Sequence, residues 1–299
     1  MPRPSRPEWI EWGRALLVRR IQNLTGTNRS PDLFSQPPGD PGLLGPQSIA
    51  WEVHAHFVGM LVGGVSSLLM QALHPRALAA VWDHSAFQTH LKERLGRTAY
   101  FVALTTYGAT EEAMNAIERV NRIHAQIQGR MPDGTPYQAN EPALLRWVHL
   151  TEVSSFLKGY QWLSWQSLPV QAQDRYVQDM SRIGHLLGAP DLPQQWHAHE
   201  AAIEAYVPDL RFDERTREIV RVIENYPVDP WDKPFMNLVI QASFHLLPDW
   251  ALPLLGRSPA CEPLKQTVRQ ALRLAALPIQ AFLDQDGVAA HARRRMAPH

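Results

Sequence analysis

Between His56 and His74 the chain runs without a single charged residue, FVGMLVGGVSSLLMQAL from Phe57 to Leu73. A stretch this apolar must lie inside a protein or against a bilayer. A membrane-spanning helix needs ~20 mostly apolar residues. This run is a little shorter and carries Gly63, Gly64, Ser66, Ser67 and Gln71. The reading is a helix buried inside the protein, with peripheral membrane association as the alternative.

The residues around this run are read as helices too. The helical body is expected to start near Ser48 and continue to Leu73, where His74-Pro75 stops it, because a proline pushes the residue before it out of the helical region. A short helix follows from Arg76 to Trp82, then another from Ala86 to Tyr107. Thr110 is the expected cap of the next, with Glu111 and Glu112 at the positive end of its dipole. That helix sets Ala113, Ile117, Val120, His124 and Ile127 on one stripe, with Gly129 as its stop. PDGTP, Pro132 to Pro136, reads as a turn. Asn140 then caps a helix with Pro142 in its first turn, carrying Leu145, Val148, His149, Val153 and Phe156. Further helices are predicted at 170–188, 194–206, 213–224, 231–246 and 262–284. Val/Ile-rich alternating runs are absent, so no strands are expected. The fold class is all-α. Residues 1–47 form one helix (Glu8 to Leu24) and a Pro/Gly-rich linker or surface arm, 48–290 the helical domain, and 291–299 a solvated basic tail.

Composition removes several functions. Lys+Arg and Asp+Glu number 29 each, so the net charge is zero and nucleic acid is not an expected partner. One Cys, Cys261, allows neither an internal disulfide nor a thiolate zinc site, and reads as an inert thiol. With no signal-peptide run near the N-terminus, the cytoplasm is the expected compartment. The phosphate-cradling P-loop and the dinucleotide glycine fingerprint are missing, and so is the nucleophile elbow.

The 13 histidines leave nitrogen as the natural metal donor. His54/His56 and His197/His199 are each two residues apart, which on a helix turns the rings ~200° away from each other. His199-Glu200 has Ile203 where the helical zinc pattern needs its second His. His124 differs, because it shares a stripe with apolar residues. An imidazole facing a core must be hydrogen-bonded or bound to something. It is either a satisfied core histidine or a ligand. One His on an apolar helical face is also how a helical haem pocket presents its axial ligand, with Arg94, Arg97 and Arg122 close in sequence as cations for propionates.

From His74 to Tyr160 the blocks LHPRALAAVWDHSAF, RLGRT, VNRIHAQIQG and DGTPYQANEPALLRWVHLTEVSSFL resemble the MpaB-type oxygenase family, which includes the haem b dioxygenases that clear latex. The resemblance implies a globin-like helical core around haem b, with O2 as co-substrate. Its R-x-x-x-T block falls on Arg94 to Thr98 and its V-x-x-x-H-x-x-[VI]-x-G block on Val120 to Gly129. It implies His124 as the iron ligand, Arg94 and Thr98 at the haem, and Arg97 with Thr98 on the oxygen side. His149, in the W-V-H block, and His74 are implied near the pocket. His84 lies in a D-H-S element with no role assigned.

One position departs from the latex-clearing pattern. Arg97 stands where those proteins have a Lys that can bind iron. Arginine stays protonated and has no lone pair to offer a metal. The expected resting iron is therefore five-coordinate or water-ligated. The expected substrate is a small apolar molecule, isoprenoid- or lipid-like, oxidised by a haem-dependent enzyme. The alternatives are a non-catalytic haem sensor or carrier, and a haem-free helical binding protein.

Overall fold

The apolar run folds into a helix, but the rod read from Ser48 to Leu73 is broken. The computed structural model describes residues 8–25, 30–85 and 87–297; the first residues of the arm and the last two of the tail lie outside that description. Helix α1 spans Glu8–Thr25, and after a 3-10 turn (Pro31–Ser35) come α2 (Ile49–Ala55) and α3 (Phe57–Gln71). The two are bent by 91° at His56, which sits at φ −81°, ψ 86° and accepts the Gly59 amide on its own Nδ1 at 3.0 Å. Among the described residues no single helix is long and apolar enough to cross a membrane, although this bent pair passes on length and composition.

Then follow α4 (Pro75–His84), α5 (Phe87–Tyr107) and α6 (Thr110–His124). The strand-free expectation is corrected next. A two-stranded antiparallel hairpin, β1 (Gln128–Arg130) and β2 (Pro136–Gln138), brackets the PDGTP turn, with Gly129 facing Tyr137. Three residues are too few to show an alternating pattern. The expected stop at Gly129 is therefore a strand position; α6 ends at His124, and Ile127 lies in the connection. The second half is α7 (Pro142–Leu163), α8 (Val170–Leu186), α9 (Trp196–Glu204), a 3-10 turn (Val207–Asp209) and α10 (Glu214–Glu224). It closes with α11 (Lys233–His245), α12 (Ala251–Leu254), α13 (Glu262–Asp286) and α14 (Val288–Arg295). The fold is mostly all-α.

The α3–α7 crossing is the spine. A side-chain carbon at Gly63 would sit 2.6 Å from the Ser155 carbonyl oxygen, and one at Gly59 3.2 Å from the Gly159 backbone. Glycine lets the two backbones touch. Ser66, Ser67, Ser154 and Ser155 are buried beside them. The small residues that made the run look odd as a span are what seat it against α7.

The C-terminal segment is not a solvated tail. Arg295 is 1% exposed and donates to the carbonyls of Asp40 (2.8 Å), Phe34 (3.0 Å) and Gly108 (3.3 Å). His291, 8% exposed, bonds Ser35 Oγ through Nδ1 at 2.9 Å. The arm is irregular, but Phe34 and Leu44 are buried, and α14 clasps it to the body. Asp40 in turn accepts the backbone amide (3.1 Å) and hydroxyl (2.8 Å) of Thr110 and so starts α6.

Candidate active site

Helix α6 delivers His124. Ala113 and Ile117 are buried on the predicted stripe, Val120 is half-buried, and His124 is the last helical residue. Its ring is half-buried, yet Nδ1 is sealed from solvent and has no hydrogen-bond partner. Burial pulls its pKa below the ordinary value, so the ring is neutral at pH 7 and keeps a lone pair. A buried polar atom with no partner is costly and calls for an explanation.

Helix α5 packs along α6 and carries the Arg94 to Thr98 block. Arg94 reaches back to Ser85 Oγ at 2.9 Å and lines a cavity with Leu68, Val81, Leu91, Ile219 and Ile223. Burial first, and then the neighbouring Arg97 charge, bring its pKa down to about 10, still a cation at neutral pH. Arg97 and Thr98 are exposed on the same helix, and Thr98 Oγ1 donates to the Arg94 carbonyl at 3.3 Å.

His74 and His149 are interior walls. His74 is 4% exposed against Trp147 and Tyr206, and its Nδ1 is a second buried nitrogen without a partner. His149 packs so tightly on α8 that a side-chain carbon at Gly184 would lie 2.7 Å from its ring. Burial holds it neutral, with a pKa of about 3. The paired histidines are structural. His54 bonds Thr106 and Tyr176, and His199 bonds the Leu150 carbonyl. Cys261 is free and exposed.

Sequence reasoning missed Glu152. On α7, Leu145, Val148 and Glu152 are half-buried at helical spacing, whereas most of the surrounding positions are buried. Burial pushes the Glu152 carboxyl up to about 7, with a hydrogen bond from Gln71 of α3 opposing the rise. Gln71 Nε2 also donates to Ser67 Oγ (2.8 Å) and Thr151 Oγ1 (3.3 Å). The available signal was a lone acid inside the apolar WVHLTEVSSFL run.

Asn121 Nδ2 donates to the Leu186 carbonyl at 3.0 Å, which puts the end of α6 on the end of α8. A side-chain carbon at Gly188, just beyond, would meet Leu145 of α7 at 3.3 Å. The end of α6 and the start of α7 thus both pack at the C-terminal end of α8. On α3, Leu68 of the Arg94 cavity is one turn before Gln71.

The helical body thus carries a half-buried histidine with an unpartnered Nδ1 at the end of α6 and an arginine in an apolar wall on α5. The family model for the "ER-bound oxygenase mpaB/B'/Rubber oxygenase, catalytic domain" matches residues 51–277, and the chain belongs to that family. It is an oxidoreductase of the oxygenase type. Among solved structures it is similar to latex clearing protein in the closed state, at 13% identity and a TM-score of 0.53, covering 96% of this chain and 89% of that one. No curated protein matches.

Proposed function

We propose that the protein is a haem b-dependent oxygenase of a small apolar, isoprenoid- or lipid-like substrate, with His124 as the iron ligand. The observation that carries this reading is the buried, unpartnered Nδ1 of a neutral imidazole at the end of an amphipathic helix. Among the described residues no three His, Cys, Asp or Glu side chains group as a metal site. Iron held by protein alone needs such a group, as in the two-His-one-carboxylate triad. Haem brings its own four nitrogens and asks the chain for one histidine, so the residues present fit haem.

Bound haem would supply an iron at which O2 is held and activated. The chain's own residues do the rest. His124 offers a lone pair without first losing a proton. Arg94 places a buried cation in an apolar wall, suited to a propionate. Arg97 and Thr98 present donors from the exposed side of α5 but no metal ligand. Leu68, Val81 and Leu91 make the wall beside Arg94 apolar. Glu152 holds a proton near neutrality and can lend or take one without a partner ion.

The test is the absorption spectrum of the protein after haem titration. A Soret band that His124→Ala abolishes is the expected result; a colourless wild type overturns the reading. Electron paramagnetic resonance should show no protein nitrogen as a sixth ligand, because arginine cannot supply one. Oxygen uptake with an isoprenoid and lipid panel separates an oxygenase from a haem carrier.

A further inference from the structure

Three consecutive residues at the end of α4 hold the two segments that would face haem. Asp83 Oδ2 accepts the Tyr137 hydroxyl of β2 at 2.6 Å, and its Oδ1 lies 3.4 Å from Arg215 of α10. His84 Nε2 lies 3.1 Å from the Gln128 carbonyl of β1 and 3.3 Å from the Tyr137 oxygen. A carbonyl only accepts, so that nitrogen carries the proton. Ser85 Oγ accepts Arg94 Nη1 at 2.9 Å.

Gln128 is four residues beyond His124, and the link between them is short and bonded. The Ile127 amide donates to the His124 carbonyl at 3.1 Å, and the Ala139 amide to the Ile127 carbonyl at 2.9 Å. Tyr137, 1% exposed, lies under Gly129, where any larger residue would strike its ring. The hairpin therefore has one seat on α4, and α6 ends where that seat puts it. Asp83 and His84 fix the His124 side; Ser85, the next residue, fixes Arg94.

We propose that Asp83, His84 and Ser85 act as positioning residues, a brace that sets His124 and Arg94 relative to each other. Neither a metal contact nor a substrate contact is required of them. The proposal rests on the haem reading for its consequence but on the bonding above for its existence. Partners that orient a metal ligand typically cost 10–100-fold in affinity when removed. Here the orientation passes through the backbone, so the lower end of that range applies.

The experiment uses full-length Ser85→Ala, Tyr137→Phe and the double variant, with Ile279→Val as a core control. Each single variant should weaken haem binding roughly tenfold. Each should also broaden or split the ferric resonance signal, a change that lowered stability alone does not produce. The double should lose about what the worse single loses, because both cut one brace. Ile279→Val should lower Tm while leaving affinity and spectrum unchanged. Singles that bind haem like wild type, or a double whose losses multiply, overturn the brace.

If wild type takes up no haem, the haem reading fails separately, and hydrogen exchange in the haem-free protein decides. Tyr137→Phe should then still speed exchange of the Ala139 amide. Unchanged exchange there overturns the brace as well.

Discussion

Where α3 crosses α7 the chain is closed to the point of backbone contact; where α5 and α6 lie together it stops short of closure. At the crossing, glycines and serines let two helices meet with no side chain between them, and Ser243 Oγ reaches across from α11 to the Val62 carbonyl at 3.0 Å. In the α5–α6 wall, Arg94 faces a cavity and His124 keeps a nitrogen with no partner. The contrast separates what holds the molecule up from what it presents. The difference is one of backbone approach and not of polar satisfaction, since α7 itself buries the unpartnered Trp147 Nε1 and Gln161 Nε2.

The largest break of this contrast comes from the spine. Gly63→Leu drives a side chain into the Ser155 backbone, which no rotamer avoids. The expected loss is ~3 kcal/mol or more, read as a collapse of Tm by circular dichroism. A variant that folds with wild-type Tm would show that the crossing is looser than its glycines imply.

Arg295→Ala is next. It leaves the carbonyls of Phe34, Asp40 and Gly108 without their cationic donor and loosens the clasp on the arm. The expected cost is ~2–4 kcal/mol in denaturant unfolding. Because Asp40 also starts α6, limited proteolysis should cut the arm earlier in this variant than in wild type.

The wall should answer differently. His124→Leu removes a buried nitrogen that bonds to nothing, so stability should rise by ~1 kcal/mol while haem uptake is lost. Stability that falls instead would mean His124 packs as core and not as a presented ligand.

The same contrast explains what the sequence made legible. The helices expected at 170–188 and 213–224 lie at Val170–Leu186 and Glu214–Glu224, because helical periodicity is a local signal. The place of His124 on a helical stripe was legible for the same reason, since that stripe is written at spacings of three and four. The break at His56 was not, since the ring that caps α3 there is seated against Tyr160, a hundred positions on. Arg295 read as solvated because the carbonyls that bury it belong to the arm at the other end of the chain. Glu152 was passed over because its burial depends on α3 lying across α7.

Glu152 supplies the pH-dependent test of the contrast, because it lies on the α7 side of the α3–α7 crossing, bonded from Gln71 of α3. Burial raises its carboxyl from 4.5 to about 7 in the folded protein. Between those values the unfolded chain releases the proton and the folded chain keeps it. Stability from this group is therefore full below about pH 4.5 and drains away as pH rises through about 7. His54 and His149 oppose it. Burial lowers both to about 3, so they weaken the fold as pH falls below their ordinary 6.5. The net curve is thus a poor witness, and the comparison must be with Glu152→Gln, which keeps the shape and removes the titration. The difference in Tm between wild type and this variant should shrink in wild type's disfavour from pH 4.5 to 7. Tyr176, whose hydroxyl feels the same carboxyl, stays protonated throughout and does not blur the result. A difference that is flat with pH would place Glu152 in contact with solvent, and would move it from the spine to the open wall.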